Sequence, residues 1–260
     1  MTSPGETMDT PCILITGAGS GIGRATARLF AGHDWTVGAF DVDDDALAGL
    51  AGEERIVTRH MDVTDPQSVE EGFADFGERT GQRLDLLFNC AGILEIGPFE
   101  SVSLERHARL IDVNFKGLMH CTRVAFPFLQ RTRGAQVINM SSASAGYGTP
   151  DLATYSATKF AVRGLTEALN IEWARHGIRV CDIMPPYVDT PMVRNARHTA
   201  SLDRMGVNLA PETVAAAVWS AVGSDRVHHL VGRQYRLMSA LLRLFPASLN
   251  RRLVRSMTGY

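Results

Sequence analysis

A short apolar run followed by a glycine-rich turn and a helical pattern constrains this chain most. Cys12–Thr16 has the composition of a strand buried on both faces, and G-A-G-S-G-I-G follows at positions 17–23. Glycines allow a tight turn and a close approach of the backbone to a ligand, while the amides at a helix N-terminus attract negative charge. The unit therefore predicts a site for the pyrophosphate of a dinucleotide, formed by Gly17, Ser20, Gly21, Ile22 and Gly23.

Apolar runs and helical patterns then alternate along the chain. Further strands are predicted at 35–40, 55–61, 84–88, 135–140, 178–184 and 226–231. This alternation predicts an α/β protein with a single-domain Rossmann fold, whose doubly wound, mostly parallel sheet carries helices on both faces. We expect a flexible N-terminal tail at 1–10, the domain at 11–232 with a substrate loop at 187–210, and a C-terminal extension at 233–260.

The second predicted strand ends in an acidic residue, Asp41, about twenty residues past the glycines. A carboxylate at this place suits the ribose hydroxyls of NAD and repels the 2′-phosphate of NADP. No Arg or Lys lies between Asp41 and Gly52 to reverse that preference. The sequence therefore predicts NAD over NADP, and Asp43, Asp44 and Asp45 are interpreted as a loop and a helix cap.

Small and polar residues follow the other predicted strands. The carboxyl ends of parallel strands meet at one edge of the sheet, where ligands bind. Asp62 could lie near an adenine or could equally cap a helix, while N-C-A-G at 89–92 allows close approach of backbone. The further cofactor contacts predicted at these ends are Asp62, Val63, Asn89, Ala91, Gly92, Pro185, Val188 and Thr190.

Three polar side chains come together between residues 139 and 159. Ser142 follows an apolar strand, and Tyr155 and Lys159 are four residues apart, so they share one helix face. A free phenol has a pKa of about 10, which a nearby ammonium lowers. Such a phenol can exchange a proton with a hydroxyl group whose oxygen the serine also holds. The alternative is a core tyrosine with a surface lysine, because Y-x-x-x-K alone is common.

The composition argues against several classes of protein. A chain of 260 residues with a net charge of −2 gives no global electrostatic case for binding nucleic acid. The four cysteines lack C-x-x-C spacing and favour buried thiols over disulfides or a metal site. No run is apolar enough to span a membrane, and the first ten residues lack the features of a signal peptide. We therefore expect a cytoplasmic protein with no bound metal.

Taken together, the motifs resemble those of a classical short-chain dehydrogenase/reductase. The resemblance covers residues 12 to 231 and rests on motifs in the same order along the chain. They are T-G-A-G-S-G-I-G at 16–23, D-V-T-D at 62–65, N-C-A-G at 89–92, V-N at 113–114, S-S at 141–142, Y-S-A-T-K at 155–159 and P-P-Y-V-D-T-P at 185–191.

The resemblance implies hydride transfer between a nicotinamide and an alcohol or carbonyl carbon. Tyr155 would act as acid/base, Lys159 would lower its pKa and hold the nicotinamide ribose, and Ser142 would fix the substrate oxygen. Asn114 would hold a water of the proton relay, and Thr190 would contact the carboxamide. A dinucleotide-binding or sensing protein without catalysis is the alternative, which the complete Asn–Ser–Tyr–Lys set opposes.

Two positions depart from the family pattern. Cys90 replaces the second Asn of N-N-A-G, a change that we expect to be tolerated. Pro186 replaces the Gly that usually follows the sixth strand, and proline fixes φ and removes a donor. We therefore expect a stiffer or differently shaped loop over the nicotinamide.

The C-terminal extension is basic and apolar. Residues 226–260 include no Asp or Glu, and arginines alternate with leucines up to a break at Pro246. The pattern predicts two short amphipathic helices, which either make peripheral contact with an anionic membrane or cover the substrate cleft or a subunit contact, the arrangement that we favour. Both arrangements make the surroundings of the cleft apolar, so we predict a lipophilic alcohol or ketone, such as a sterol, a retinoid or a fatty-chain compound.

Small residues form a stripe on the helix that follows Tyr155. The stripe contains Ala157, Ala161, Gly164 and Ala168 at helical spacing. It would pack either on the parent sheet or on a second copy of the chain. The family resemblance favours the second arrangement and implies a homodimer or homotetramer.

Overall fold

Parallel strands form the central sheet of the computed structural model, which describes residues 10–196, 206, 207 and 209–260. Across the sheet the strands lie in the order β3-β2-β1-β4-β5-β6-β7. The order reverses between β1 and β4, so a crevice opens at the carboxyl ends of these two strands. The predicted doubly wound Rossmann fold is confirmed. The strands are β1 (Cys12–Thr16), β2 (Thr36–Asp41), β3 (Ile56–His60), β4 (Leu86–Asn89), β5 (Gln136–Met140), β6 (Arg179–Met184) and β7 (His228–Leu230).

Helices connect the strands and cover both faces of the sheet. Local signals set several of their ends; for example, the Asp65 side chain accepts a hydrogen bond from the Gln67 amide and Pro66 takes the first helical position of α3. The helices are α1 (Gly21–Ala31), α2 (Asp44–Ala48), α3 (Pro66–Thr80), α4 (Leu104–Ile111), α5 (Leu118–Gln130), α6 (Ala153–Glu172), α7 (Pro191–Arg194), α8 (Pro211–Ala221), α9 (Arg233–Leu244) and α10 (Ala247–Thr258).

Two hydrophobic cores lie on opposite faces of the sheet. Successive strand residues point to opposite faces, so Ile13 joins the core under α1 and α8, while Leu14 joins the core under α3 and α5. Both side chains are fully buried, and each such burial contributes about 1.5–3 kcal/mol to folding. The apolar strand runs in the sequence thus reflect burial on both faces.

The predicted long helix at 104–131 is divided in the structure. α4 and α5 are separated by a π-helical turn, Asp112–Gly117, which holds Asn114. A Cβ at Gly117 would lie 2.6 Å from Val63 Cγ2, so the turn approaches the segment that follows β3 too closely for a side chain. Such wide turns are frequent at functional sites. Sequence periodicity misses this turn because one extra residue hardly changes the apolar pattern.

Two helices, α9 and α10, occupy the C-terminal segment, and Phe245 and Pro246 separate them. Among the described helices none has the length and apolarity that crossing a membrane requires. The predicted tail at 1–10 lies outside the described residues except for Thr10, and so does part of the predicted substrate loop at 187–210.

Candidate active site

One cavity of about 440 Å³ runs along the carboxyl edge of the sheet and contains most of the predicted site. Its volume is in the range of small-molecule and cofactor sites. The predicted residues that line it are Gly17, Ser20, Gly21, Ile22, Gly23, Asp41, Asp62, Val63, Ala91, Gly92, Ser142, Tyr155, Lys159, Pro185, Val188 and Thr190. Asn89 and Asn114 do not line this cavity.

The glycine turn between β1 and α1 has no space for side chains. A Cβ at Gly17, where φ is +70°, would lie 2.7 Å from the Cα of Ala91, and one at Gly23 would lie 2.1 Å from the Gly17 carbonyl oxygen. Ser20 precedes α1, but its side chain does not cap the helix and so accepts no hydrogen bond from the first helical amides. The turn therefore fits a pyrophosphate bound to backbone amides at a helix N-terminus.

Asp41 lies at the end of β2 and faces the glycine turn. Its Oδ2 accepts a hydrogen bond of 2.8 Å from the Gly19 amide, and its Oδ1 accepts one of 3.1 Å from the Asp43 amide. A carboxylate has about four acceptor positions, so lone pairs remain for ribose hydroxyls. Asp43 in turn caps α2 through the Ala46 amide, as predicted.

Asp62 both lines the cavity and closes its own turn. Its Oδ1 accepts hydrogen bonds of 2.8 Å and 2.7 Å from the amide and hydroxyl of Thr64. Burial would raise the pKa of Asp62, but these hydrogen bonds and the charge of Arg109 outweigh it and lower that pKa. Asp62 thus lines the cavity, whereas the alternative that it caps a helix is wrong, because Asp65 caps α3. Arg109 also lines the cavity, although nothing in the sequence distinguishes it from other helix-surface arginines.

Asn89 was predicted to contact the cofactor, but its side chain lies in the interior. It is only 2% exposed and its Nδ2 donates hydrogen bonds of 2.9 Å to Thr122 Oγ1 and to Asn139 Oδ1. Strand residues alternate between faces, so the last residue of β4 points toward α5 and the following Cys90 reaches the cavity. Asn89 thus joins β4 to β5 and α5.

Ser142 and Tyr155 meet through their hydroxyl groups. Ser142 lies two residues beyond the end of β5 and precedes a 3-10 turn. Its Oγ accepts hydrogen bonds from the amide of Ser144 at 3.2 Å and from that residue's hydroxyl at 2.8 Å. Tyr155 lies in the first turn of α6, close enough to the Ser142 side chain for that side chain to lower the pKa of the phenol. The two residues predicted to bind one substrate oxygen are therefore adjacent.

Lys159 is buried beneath the tyrosine. Its Nζ donates a hydrogen bond of 2.9 Å to the Met140 carbonyl and lies 5.5 Å from the centroid of the Tyr155 ring. Burial lowers the pKa of Lys159 to about 8. The predicted lowering of the Tyr155 pKa by Lys159 is wrong for this arrangement: burial raises the pKa of Tyr155 to about 12, and the hydrogen bond from Ser142 opposes that rise.

Asn114 holds the loop that follows β4. Its Nδ2 donates 3.0 Å to the Ile93 carbonyl, and its Oδ1 accepts 2.8 Å from the Ile93 amide. A Cβ at Gly92 would lie 3.2 Å from this Oδ1 and 3.8 Å from the Nζ of Lys159. The amide is thus a positioning group close to Lys159, and it is engaged with protein backbone.

The loop after β6 returns to the glycine turn. The Pro185 carbonyl accepts a hydrogen bond of 2.9 Å from the Ala143 amide, which joins this loop to the serine loop. Thr190 caps α7, and a Cβ at Gly21 would lie 2.9 Å from its Cγ2. Pro186, which departs from the family pattern, also lines the cavity.

Beyond Tyr155 the cavity continues between apolar walls. Leu94, Leu152 and Val193, which cluster with Tyr155, line it together with Met238 and Leu242 from α9. The sequence did not mark the first three residues, because their place depends on loop geometry. α9 and α10 cover the cleft, which is the favoured one of the two arrangements left open by the sequence.

A doubly wound sheet with a glycine turn before α1 and a Ser–Tyr–Lys set at its carboxyl edge defines a Rossmann-fold oxidoreductase. The family described as short chain dehydrogenase matches residues 11–201. This chain belongs to the short-chain dehydrogenase/reductase family.

Relatives and solved structures agree with this assignment. The 3-oxoacyl-(acyl-carrier-protein) reductase of Thermotoga maritima is 34% identical over 85% of this chain and 93% of its own length. A cyclohexanol dehydrogenase of an Acinetobacter species is 31% identical over 85% of this chain and 91% of its own. A short-chain dehydrogenase/reductase of Burkholderia phymatum, solved in complex with NAD, superposes with a TM-score of 0.80 at 27% identity, over 91% of this chain and 92% of the other.

Proposed function

We propose that this protein is an NAD-dependent oxidoreductase that interconverts a lipophilic secondary alcohol and its ketone. The observation that carries the proposal is the convergence of Ser142, Tyr155 and Lys159 in the cavity that also contains the glycine turn and Asp41. The cyclohexanol dehydrogenase among the relatives, by its name, acts on an uncharged alcohol.

Tyr155 exchanges the proton in this proposal. When bound, a nicotinamide would accept a hydride from the carbinol carbon of the alcohol or supply one to the carbonyl carbon of the ketone. Because burial raises the pKa of Tyr155 to about 12, the phenol is protonated near neutral pH and can donate to a ketone oxygen. Ser142 binds the same oxygen through its hydroxyl, and Lys159 contributes positive charge below the phenol and would hold the nicotinamide ribose. Alcohol oxidation runs the proton transfer in reverse and needs the phenolate.

Thr190 and Asn114 support the nicotinamide end of the site. Thr190 lies against Gly21 and is the proposed contact of the carboxamide. For Asn114 we propose a positioning role, because its amide is engaged with Ile93. A relay water beside Lys159 would therefore bind to backbone rather than to this amide.

The charges around Asp41 favour NAD. Arg24 lies against the glycine turn, but its guanidinium is engaged with backbone: it donates hydrogen bonds to the carbonyls of Gly19 and, at 2.6 Å, of Ala46, and it lines a separate groove. Among the described residues that line the cavity, Arg109 and Lys159 are the basic ones, and Arg109 lies beside Asp62. The Asp41 carboxylate would therefore repel a 2′-phosphate, and the basic residues of the described cavity lining lie elsewhere.

An assembly through α6 is also proposed. Ala157, Gly164 and Ala168 are exposed on the outer face of this helix, so they do not pack on the parent sheet. Phe160 is 44% exposed and Ile171 is 77% exposed on the same helix. An apolar helix face of this kind is expected at a contact between copies of the chain, which supports a homodimer or homotetramer.

The proposed function is tested by incubating the protein with NAD or NADP and a panel of secondary alcohols, sterols and retinoids while following absorbance of the reduced nicotinamide. Turnover with NAD is expected. NAD binding without turnover of any panel member would favour the alternative of a catalytically silent dinucleotide-binding protein. The cytoplasmic location and peripheral contact with anionic membranes stay predictions, and co-sedimentation with anionic liposomes at low and high salt tests the latter.

A further inference from the structure

The C-terminal helix pair forms part of the cavity that contains Tyr155. Met238 and Leu242 of α9 line it, together with Val254 and Thr258 of α10. Tyr235, at the start of α9, is 4% exposed and clusters with Ala145 and Met184 next to the serine loop. The last two helices of the chain are therefore a wall of the site.

The inward and outward faces of α9 differ clearly. Tyr235, Met238 and Leu242 are spaced by three and four residues, so they share the face toward the cavity. Leu241, next to Leu242, is 37% exposed and does not line the cavity. Of these two adjacent leucines, Leu242 thus contacts the cavity, whereas Leu241 contacts solvent.

The far end of the helix pair is attached to the segment that leads to the catalytic tyrosine. The Tyr260 hydroxyl donates a hydrogen bond of 2.6 Å to Asp151 Oδ1. Asp151 has a left-handed backbone with φ of +62°, and Leu152 beside it lines the cavity. Tyr235 and Tyr260 thus connect the wall to both ends of the segment between Ser142 and Tyr155.

The charged residues of the cavity are concentrated at the cofactor end. Among the described lining residues they are Asp41, Asp43, Asp62, Arg109 and Lys159. Leu94, Leu152, Met238, Leu242 and Val254 line the cavity too, and the polar members of the lining near them, such as Thr149 and Thr258, are uncharged. An ionic group among these residues would lose water without gaining a partner of opposite charge. The arginines of α9 and α10 whose side chains the structure describes are exposed to solvent.

We propose that the helix pair α9–α10 is the specificity-determining wall of the substrate site. It selects an uncharged secondary alcohol or ketone whose apolar substituent packs against Met238, Leu242 and Val254, and it disfavours substrates with a carboxylate or phosphate near the reacting carbon. This inference rests on the proposed function, since it concerns the substrate of the same site.

The test compares Leu242→Trp with its neighbour Leu241→Trp as the matched control. For Leu242→Trp, kcat/KM for cyclohexanol and for longer 2-alkanols should fall about 10-fold or more, because one misplaced methylene already changes discrimination by that order. The value for 2-propanol should change much less, and Leu241→Trp should resemble the wild type. Equal effects of the two substitutions, or none from Leu242→Trp, would overturn the inference. Val254→Phe repeats the test if Leu242→Trp does not fold.

A second experiment tests the selectivity against charged substrates. The methyl ester of 3-hydroxybutyrate should be oxidised with a kcat/KM about 10-fold or more above that of free 3-hydroxybutyrate. A preference for the free acid would overturn the inference. If no alcohol or ketone is turned over, the proposed function fails separately. The wall is then tested by the binding of cyclohexanone with NAD present, which Leu242→Trp should weaken and Leu241→Trp should not.

Discussion

Lys159 Nζ donates a hydrogen bond of 2.9 Å to the carbonyl oxygen of Met140, the last residue of β5. This bond fixes the ammonium of α6 to the strand end that leads into Ser142. The hydrogen bond to the sheet therefore holds the lysine side chain under the Tyr155 ring. The spacing of four residues on the helix would not by itself fix the position of the ammonium. In the proposed function, this geometry makes Tyr155 the residue that exchanges the proton.

Tyr155→Phe should abolish most turnover. The substitution removes the hydroxyl that exchanges the proton and keeps the ring, so we expect a loss of about 100-fold to 10,000-fold in kcat. NAD affinity should change little, and calorimetry with NAD beside a rate assay measures both quantities. Tyr147→Phe is a suitable control, because Tyr147 lines the cavity but is not in the predicted catalytic set. Near-wild-type turnover of Tyr155→Phe would assign the proton transfer to another group.

The double change Asp41→Ala with Val42→Arg should move cofactor preference toward NADP. Val42 is 52% exposed and lines the cavity beside Asp41, so an arginine there can reach a 2′-phosphate. The ratio of kcat/KM for NAD and NADP measures the shift, and Val42→Ala is the control. Wild-type turnover with NADP equal to or better than with NAD would contradict the assignment of Asp41.

Sequence periodicity located the strands because those at the centre of the sheet, β1, β4, β5 and β6, are buried almost throughout and therefore read as apolar runs. It also located residues whose places follow from strand ends, such as Gly17 and Asp41, which line the cavity. It failed where a side chain's direction depends on the pleat, as for Asn89, and where a pKa depends on burial, as for Tyr155. The wall formed by Met238 and Leu242 could be identified only from the tertiary structure, because the sequence of an apolar helix face does not show what that face packs against.

Gly164→Leu should disrupt an assembly through α6 without disturbing the fold of one chain. A Cβ at Gly164 meets no atom of the chain within 4 Å, and the residue lies on the exposed small stripe. Light scattering at micromolar concentration should show a dimer or tetramer for the wild type and a smaller species for the variant. Ala48→Leu, at an exposed position of α2, should leave the mass unchanged. A monomeric wild type would refute the proposed assembly.

The Asp182–His228 pair should make stability fall as pH rises. His228 Nδ1 is 3.0 Å from Asp182 Oδ1, and its Nε2 is 3.0 Å from Glu167 Oε1. The hydrogen bond with Asp182 raises the pKa of His228, while burial and the nearby Arg163 oppose that rise less. Burial also raises the pKa of Asp182, which is 0% exposed. In both cases the folded protein binds more protons than the unfolded chain at the same pH.

The contribution of His228 is therefore fully present below its unfolded pKa of about 6.5 and is lost as pH rises through the raised folded pKa. Thermal unfolding measured from pH 6 upward should show this decline. His228→Asn should reduce the decline and cost about 1–3 kcal/mol at pH 6, because a hydrogen-bonded charge is lost beside a buried carboxylate. His229→Asn is the matched control. Burial lowers the pKa of His229, so its effect has the opposite sign, and its removal should leave the decline in place. An unchanged pH dependence in His228→Asn would show that other groups control it.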